Sequence, residues 1–117
     1  MIATAKLKYL GVSAQKTRLV VDQVRGKLVG DALTVLRYSP RLVARDVEKL
    51  LRSALANAQQ QDPSVDVDQL IVARALVDEA PFLRRSRHRA MGRVFPVLKR
   101  ACHVTLDLDS AEQKDQG

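Results

Sequence analysis

Between two stretches that read as β-strand, residues 81–100 (PFLRRSRHRAMGRVFPVLKR) hold seven Arg or Lys, one His and no acid. Like charges at that density cannot enter a core without partners. The run nevertheless lies inside the chain, with apolar, strand-like sequence on both sides. A chain that leaves its core for such an excursion and then returns is held to an antiparallel arm.

The flanks set the geometry of that arm. Residues 70–77 (LIVARALV) are apolar on nearly both faces. Residues 98–108 alternate: Leu98, Cys102, Val104, Leu106 and Leu108 share one face, interrupted by Arg100, and Lys99, His103, Thr105 and Asp107 share the other. Pairing 70–77 with 101–108 puts the reversal at residue 89 and leaves 78–100 as the arm. At ~3.3 Å per residue each side reaches roughly 35 Å. Pro81 and Pro96 nearly face each other in this register and neither can donate to the ladder, so a weak or bent ribbon is expected. Gly92 tolerates positive φ near the tip. An isolated two-stranded ribbon is marginal in water, so the arm needs something negative and extended to lie on. RNA or DNA phosphates suit it, because each Arg can make bidentate, charge-assisted contacts.

The rest of the chain supplies a body. With 117 residues and 46% hydrophobic content it can bury one core but not two. The sequence predicts a strand in TAKLKYLGV, then a helix capped by Ser13 and running to Val24 with Leu19, Val20 and Val24 inward. Gly26 stops that helix. A short helix from Asp31 to Arg37 buries Leu33 and Leu36. A third starts at Ser39-Pro40, with Pro at the first helical position, and ends near Gln60 or Gln61. Its apolar face is Val43, Val47, Leu50, Leu51, Ala54, Leu55 and Ala58, with Arg45, Glu48, Lys49 and Arg52 outward. The expected fold class is α+β: three helices packed on a small antiparallel sheet with a long projecting β-hairpin. Residues 1–110 form a single domain with its arm at 78–100, and 111–117 are a polar tail.

Charge narrows the partners. The net charge is +7 and the pI about 10.1, which points to a polyanion, either nucleic acid or an anionic membrane surface. No apolar run reaches the roughly 18–20 residues of a membrane span, and the start lacks the apolar block of a signal peptide. One cysteine, Cys102, excludes an internal disulfide and suits a reducing interior. A soluble, intracellular domain is expected. Residues 1–30 carry six basic side chains against Asp22, and residues 62–79 carry five acids against Arg74. The cations are spread over the N-terminal strand (Lys6, Lys8), the first helix and the hairpin, which suits a folded RNA. Aromatic content is 3%, so there is no aromatic-rich strand for single-strand stacking.

Other readings fit less well. A helix-turn-helix over 13–37 has a second helix, DALTVLR, with one cation for the major groove. Cys102 and His103 are adjacent on a strand and point apart, as do Asp78 and Glu79, so neither pair makes a dyad for a ribonuclease. Asp66 and Asp68 lack a His or third carboxylate for a metal. Cys102 reads as core and His103 as an exposed or RNA-facing side chain. No enzyme activity, cofactor or metal is called for.

Several blocks resemble one family: Ser13…Lys16-x-Arg18…Val24-Arg25-Gly26-Lys27, Ala32-Leu33-x-x-Leu36-x-x-x-Pro40, and Lys49…Ser53-Ala54…Ala56-Asn57-Ala58. They continue as Val77-Asp78-Glu79…Pro81…Arg85…Arg89-Ala90-x-Gly92-Arg93…Leu98-Lys99-Arg100…His103-Val104. In this order, over about residues 4–108, the chain resembles the bacterial family of large-subunit ribosomal protein twenty-two. The resemblance implies a structural RNA-binding protein of the cytoplasmic large ribosomal subunit. Its partners would be ribosomal RNA, neighbouring ribosomal proteins and the nascent peptide, with neither DNA nor membrane. By match, Ser13, Lys16, Arg18, Arg25 and Lys27 would be body contacts with RNA. Arg84, Arg85, Arg87, Arg89 and Arg93 would lie towards the tip, with Lys99 and Arg100 on the returning arm. Arg87, His88, Arg89, Ala90, Met91 and Gly92 would line the peptide exit tunnel near its constriction, where they can meet nascent chains and influence macrolide sensitivity. The chain departs from the family pattern at Ala80, where Gly is usual, and at His88, where Pro is common.

Overall fold

A computed structural model describes residues 3–88 and 94–110. The order of elements is β1 (Ala3–Leu10), α1 (Ala14–Val21), α2 (Val29–Arg37), α3 (Val43–Gln61), a short 3-10 turn (Val67–Gln69), β2 (Leu70–His88) and β3 (Val94–Ser110). The three strands form one antiparallel sheet in the order β1-β3-β2. One face carries the helices and the other is open. The α+β architecture is therefore as the sequence predicts. The molecule measures 64 × 25 × 24 Å, so it is long in one direction only.

The core lies between the inner face of the sheet and the helices. Leu70, Val72, Val104, Leu106 and Leu108 from the strands meet Val20, Val21, Val24, Leu36, Val47 and Leu51, all fully buried. The inward positions of α3 are Val43, Ala44, Val47, Leu50, Leu51, Ala54 and Ala58, which is the 3–4 spacing of its sequence. Leu33 and Leu55 are partly buried at the margin.

Ser13 caps α1, its hydroxyl accepting from the Lys16 N–H at 3.4 Å. Leu19, expected inward, is exposed, and Val21 takes a core place instead. The inward face of α1 is Ala14, Thr17, Val20 and Val21, at 3–4 spacing, which leaves Leu19 on the outer side, and α1 stops at Val21. The chain then tightens through three-residue hydrogen bonds, Gln23 N–H to Val20 O and Val24 N–H to Val21 O, both 3.1 Å, which rotates Val24 inward. Gly26 follows at φ 81 and turns the chain onto the β2 edge, where its N–H donates to Val72 O at 2.8 Å.

Two boundaries differ from the sequence reading. Helix α2 begins at Val29, ahead of Asp31. Helix α3 begins at Val43 and not at Pro40. Ser39 is turned the other way: its N–H donates to Leu36 O, and its hydroxyl accepts from Arg41 N–H at 3.3 Å. Those bonds close a turn after α2, so the helix starts only after it.

The hairpin register also differs. Leu70 opposes Ser110, Val77 opposes Val104 and His88 opposes Val94, so the reversal centres on residue 91 and not 89. The offset has two parts: Leu70 already opposes Ser110 where the sequence reading paired it with Leu108, and two bulges shift the ladder further. One extra β2 residue lies between Val72 and Arg74, and another between Ala80 and Leu83, which makes β2 two residues longer than β3 (19 against 17). Pro81 falls within the second bulge, where a missing donor interrupts no ladder bond, and Pro96 opposes Ser86, so the prolines do not face each other. The ladder continues beyond the bulge for 83–88 against 94–99. The arm is thus paired strand on both sides of an irregularity at Pro81.

Candidate RNA interface

Strand β2 is an edge strand, and its outer edge is where the sequence-predicted cations gather. Beyond Leu70 the segment 26–28 runs beside it: Val72 N–H donates to Lys27 O at 2.9 Å, and Leu28 bridges Ile71. Further along, the Arg25 guanidinium grips Ala75 O from Nη2 at 2.6 Å and Nε at 3.2 Å. Arg18 Nη2 donates to Val77 O at 2.8 Å. Next comes a cleft of about 300 Å³ lined by Ser13, Ala14, Gln15, Glu79, Ala80, Arg100 and Ala101. The arm begins directly after it.

Lys27, Arg25 and Arg18 are therefore strung along one edge from Val72 to Val77, about 17 Å at ~3.3 Å per residue, and Arg100, on the central strand β3, lines the cleft that follows. All four are exposed. The cleft sits at the amino end of α1, where free backbone N–H groups and the helix dipole favour an anion. Asp22 pairs with Arg25 at 2.6 Å across an exposed surface, and Glu79 lines the cleft, so the row is not uniformly positive. The acids Asp62, Asp66 and Asp68 lie in the segment that leads into the opposite end of β2. Charge is thus graded along the strand towards the arm.

Not every candidate joins this row. Lys16 lies on the other flank of α1, by Val12, Arg41, Leu42 and Val43. Lys6 and Lys8 are exposed on β1, across the sheet. On the arm, Arg84, Arg85 and Arg87 occupy ladder positions opposite Leu98, Val97 and Phe95, and Lys99 opposes Leu83. Arg89, Ala90, Met91, Gly92 and Arg93 lie outside the described residues, as does the tail 111–117.

The structure adds what the sequence did not reveal. Arg18 and Arg25 were candidates for phosphate, yet each also satisfies a carbonyl on an exposed sheet edge, where unpaired groups invite pairing with another chain. On the opposite edge Asn57 Nδ2 does the same for Thr4 O at 3.1 Å. Asp107, placed on the open face by alternation, is buried and accepts from Thr4 Oγ1 at 2.8 Å. His103 is half-buried, and its Nδ1 accepts the Tyr9 N–H at 3.0 Å. Cys102 is fully buried; its thiol donates to Thr17 Oγ1 at 3.4 Å, and Thr17 donates to Ser13 O at 3.0 Å. These contacts tie the capped end of α1 to β3. Among the described residues no group of three or more His, Cys, Asp or Glu converges as metal ligands would, and no helix is long and apolar enough to cross a membrane.

Comparison with known proteins agrees with this geometry. Residues 5–109 match the family described as ribosomal protein L22p/L17e. The chain is 53% identical over 108 residues to large ribosomal subunit protein uL22 of Geobacter sulfurreducens, spanning 92% of this chain and 96% of that one. It is 49% identical over 108 residues to the uL22 of Anaeromyxobacter sp. strain Fw109-5, spanning 92% and 75%. A match over nearly the whole of β1 to β3, at about half identity, makes the chain a member of the ribosomal protein L22p/L17e family.

Proposed function

We propose that this protein is a structural constituent of the large ribosomal subunit, with the β2 edge and the arm as its principal RNA contacts. The observation that carries the reading is the alignment of Lys27, Arg25 and Arg18 along a single edge that leads to the cleft lined by Arg100 and on into the basic arm. RNA phosphates recur along a backbone at intervals that a row of exposed cations can meet, and binding of this kind releases counterions. Family membership supplies the particular polyanion, ribosomal RNA.

The basic run 81–100 carries seven Arg or Lys and no acid, so the arm is not built to form a core of its own. Lying in RNA gives its Arg and Lys side chains phosphate partners along their length. In this reading Ser13 and Arg100 hold backbone phosphate at the amino end of α1, while Lys16, Lys6 and Lys8 make secondary contacts. The tip, Arg87 to Gly92, lines the peptide exit tunnel and meets the nascent chain. In this reading the protein acts by holding RNA in place.

Co-sedimentation tests the proposal. Tagged protein expressed in cells travels with large subunits, stays through low-salt washing and is released by high salt. Recovery only in the free protein fraction overturns it.

A further inference from the structure

We infer that Tyr9 and His103 form a stacking site for one unpaired nucleobase of the bound RNA. The inference rests on the ribosomal RNA-binding reading above and adds to it a contact with a base.

Alternation along β1 puts Ala3 and Ala5 into the core and half-buries Leu7, so a regular strand would carry residue 9 inward as well. It does not. Leu7 opposes Val104 and Leu10 opposes Cys102, which leaves two residues, Lys8 and Tyr9, against His103 alone. Tyr9 absorbs the extra residue at φ 58, a left-handed conformation that a bulky L-residue rarely adopts. Leu10 takes the inward place against the core, and the tyrosine ring is turned out, 66% exposed.

The displaced residue is held and not loose. His103 Nδ1 accepts its N–H at 3.0 Å, and the two rings pack at right angles with centroids 4.7 Å apart. A single perpendicular contact of this kind covers at most one face of the phenol ring. A rigid, exposed aromatic face therefore stands on a chain with only four aromatic residues. Lys6 and Lys8, both exposed on the same strand, supply charge for the flanking phosphates. Splayed-out bases of folded RNA stack on rings of this type, and a lone platform takes a single base. Strain kept at an exposed aromatic, with no core gain for that ring, is what a binding contact explains.

The test uses large subunits assembled with wild-type, Tyr9→Phe or Tyr9→Ala protein, probed nucleotide by nucleotide for base reactivity. Tyr9→Ala is expected to raise the reactivity of one unpaired nucleotide roughly fivefold or more, the lower end for one base–aromatic stack. Tyr9→Phe keeps it protected, and the remaining footprint is unchanged. No such nucleotide, equal exposure with Phe and Ala, or a photocrosslink from position 9 to a protein instead of RNA overturns the inference. Tyr9→Gly suits φ 58 and guards against misfolding: it is expected to hold or raise the melting temperature of the free protein while exposing the same nucleotide. A lower melting temperature for Tyr9→Gly means the ring packs the fold, and the inference fails. Absence of the wild-type protein from subunits is a different result, and it sinks the RNA reading itself.

Discussion

The guanidinium of Arg25 closes on the carbonyl oxygen of Ala75, 50 residues away, through two donors at 2.6 and 3.2 Å. A residue whose spacing suggests a phosphate contact is thus also a clasp on an open strand edge. Arginine suits both tasks because its planar fork can satisfy an in-plane carbonyl and still present N–H groups outward.

This double duty separates Arg25 from its neighbour Lys27. Arg25→Ala is expected to cost about 1 kcal/mol in the free protein, a charged hydrogen bond discounted for its exposure. That lowers the melting temperature by about 4 °C. Lys27→Ala, whose side chain makes no such clasp, is expected to leave the melting temperature unchanged and to weaken RNA binding alone. Calorimetry on the two variants checks the split.

Asn57→Ala removes the clasp on the opposite edge, the hydrogen bond from Asn57 Nδ2 to Thr4 O. A loss of about 1 kcal/mol is expected. In urea unfolding the midpoint falls and the slope stays constant, because the surface exposed on unfolding hardly changes.

Deleting Leu83–Arg93 is expected to leave the body folded, since the core between sheet and helices is built from Leu70–Val77 and Cys102–Leu108 of the hairpin strands. Residues 94–98 are then enough to close the turn after the bulge. By contrast Leu106→Ala, at a fully buried place on the central strand, is expected to cost about 2–5 kcal/mol. Thermal denaturation of both proteins compares them directly; a large loss in the deletion variant contradicts the division into body and arm.

His88 ends β2 opposite Val94, at the last described pair of the ladder. Proline is tolerated at the end of an edge ladder. His88→Pro is expected to enter large subunits at the wild-type level, as sucrose-gradient sedimentation would show.

How much of this is legible in the chain depends on distance along it. The Val43–Ala58 face of α3 and the Cys102–Leu108 alternation of β3 carry their own periodicity, so both faces and the α+β class follow from the residues. Register does not: the same apolar face allows Leu70 to oppose Leu108 or Ser110, and two single-residue bulges that leave no periodic trace shift the ladder further. Pro81 marked a break in the ladder, but its consequence was an added residue on one strand and not two opposed prolines. The basic residues were recognisable as a set, yet their order along β2 depends on contacts such as Arg18 to Val77 and Arg25 to Ala75, 59 and 50 residues apart. Tyr9 was the least legible. Its outward ring depends on a left-handed φ that no Gly or Asn announced.

The salt dependence of binding to large-subunit RNA tests the central claim most directly. If the β2 edge and the cleft that follows it are RNA contacts, Lys27→Ala with Arg100→Ala removes two phosphate contacts. The slope of log K against log salt then falls by about 1.4–1.8, at 0.7–0.9 per contact. Lys49→Ala, an exposed charge on α3 beside β1, should leave the slope as it is. An unchanged slope in the double variant, or an equal fall with Lys49→Ala, would contradict the account.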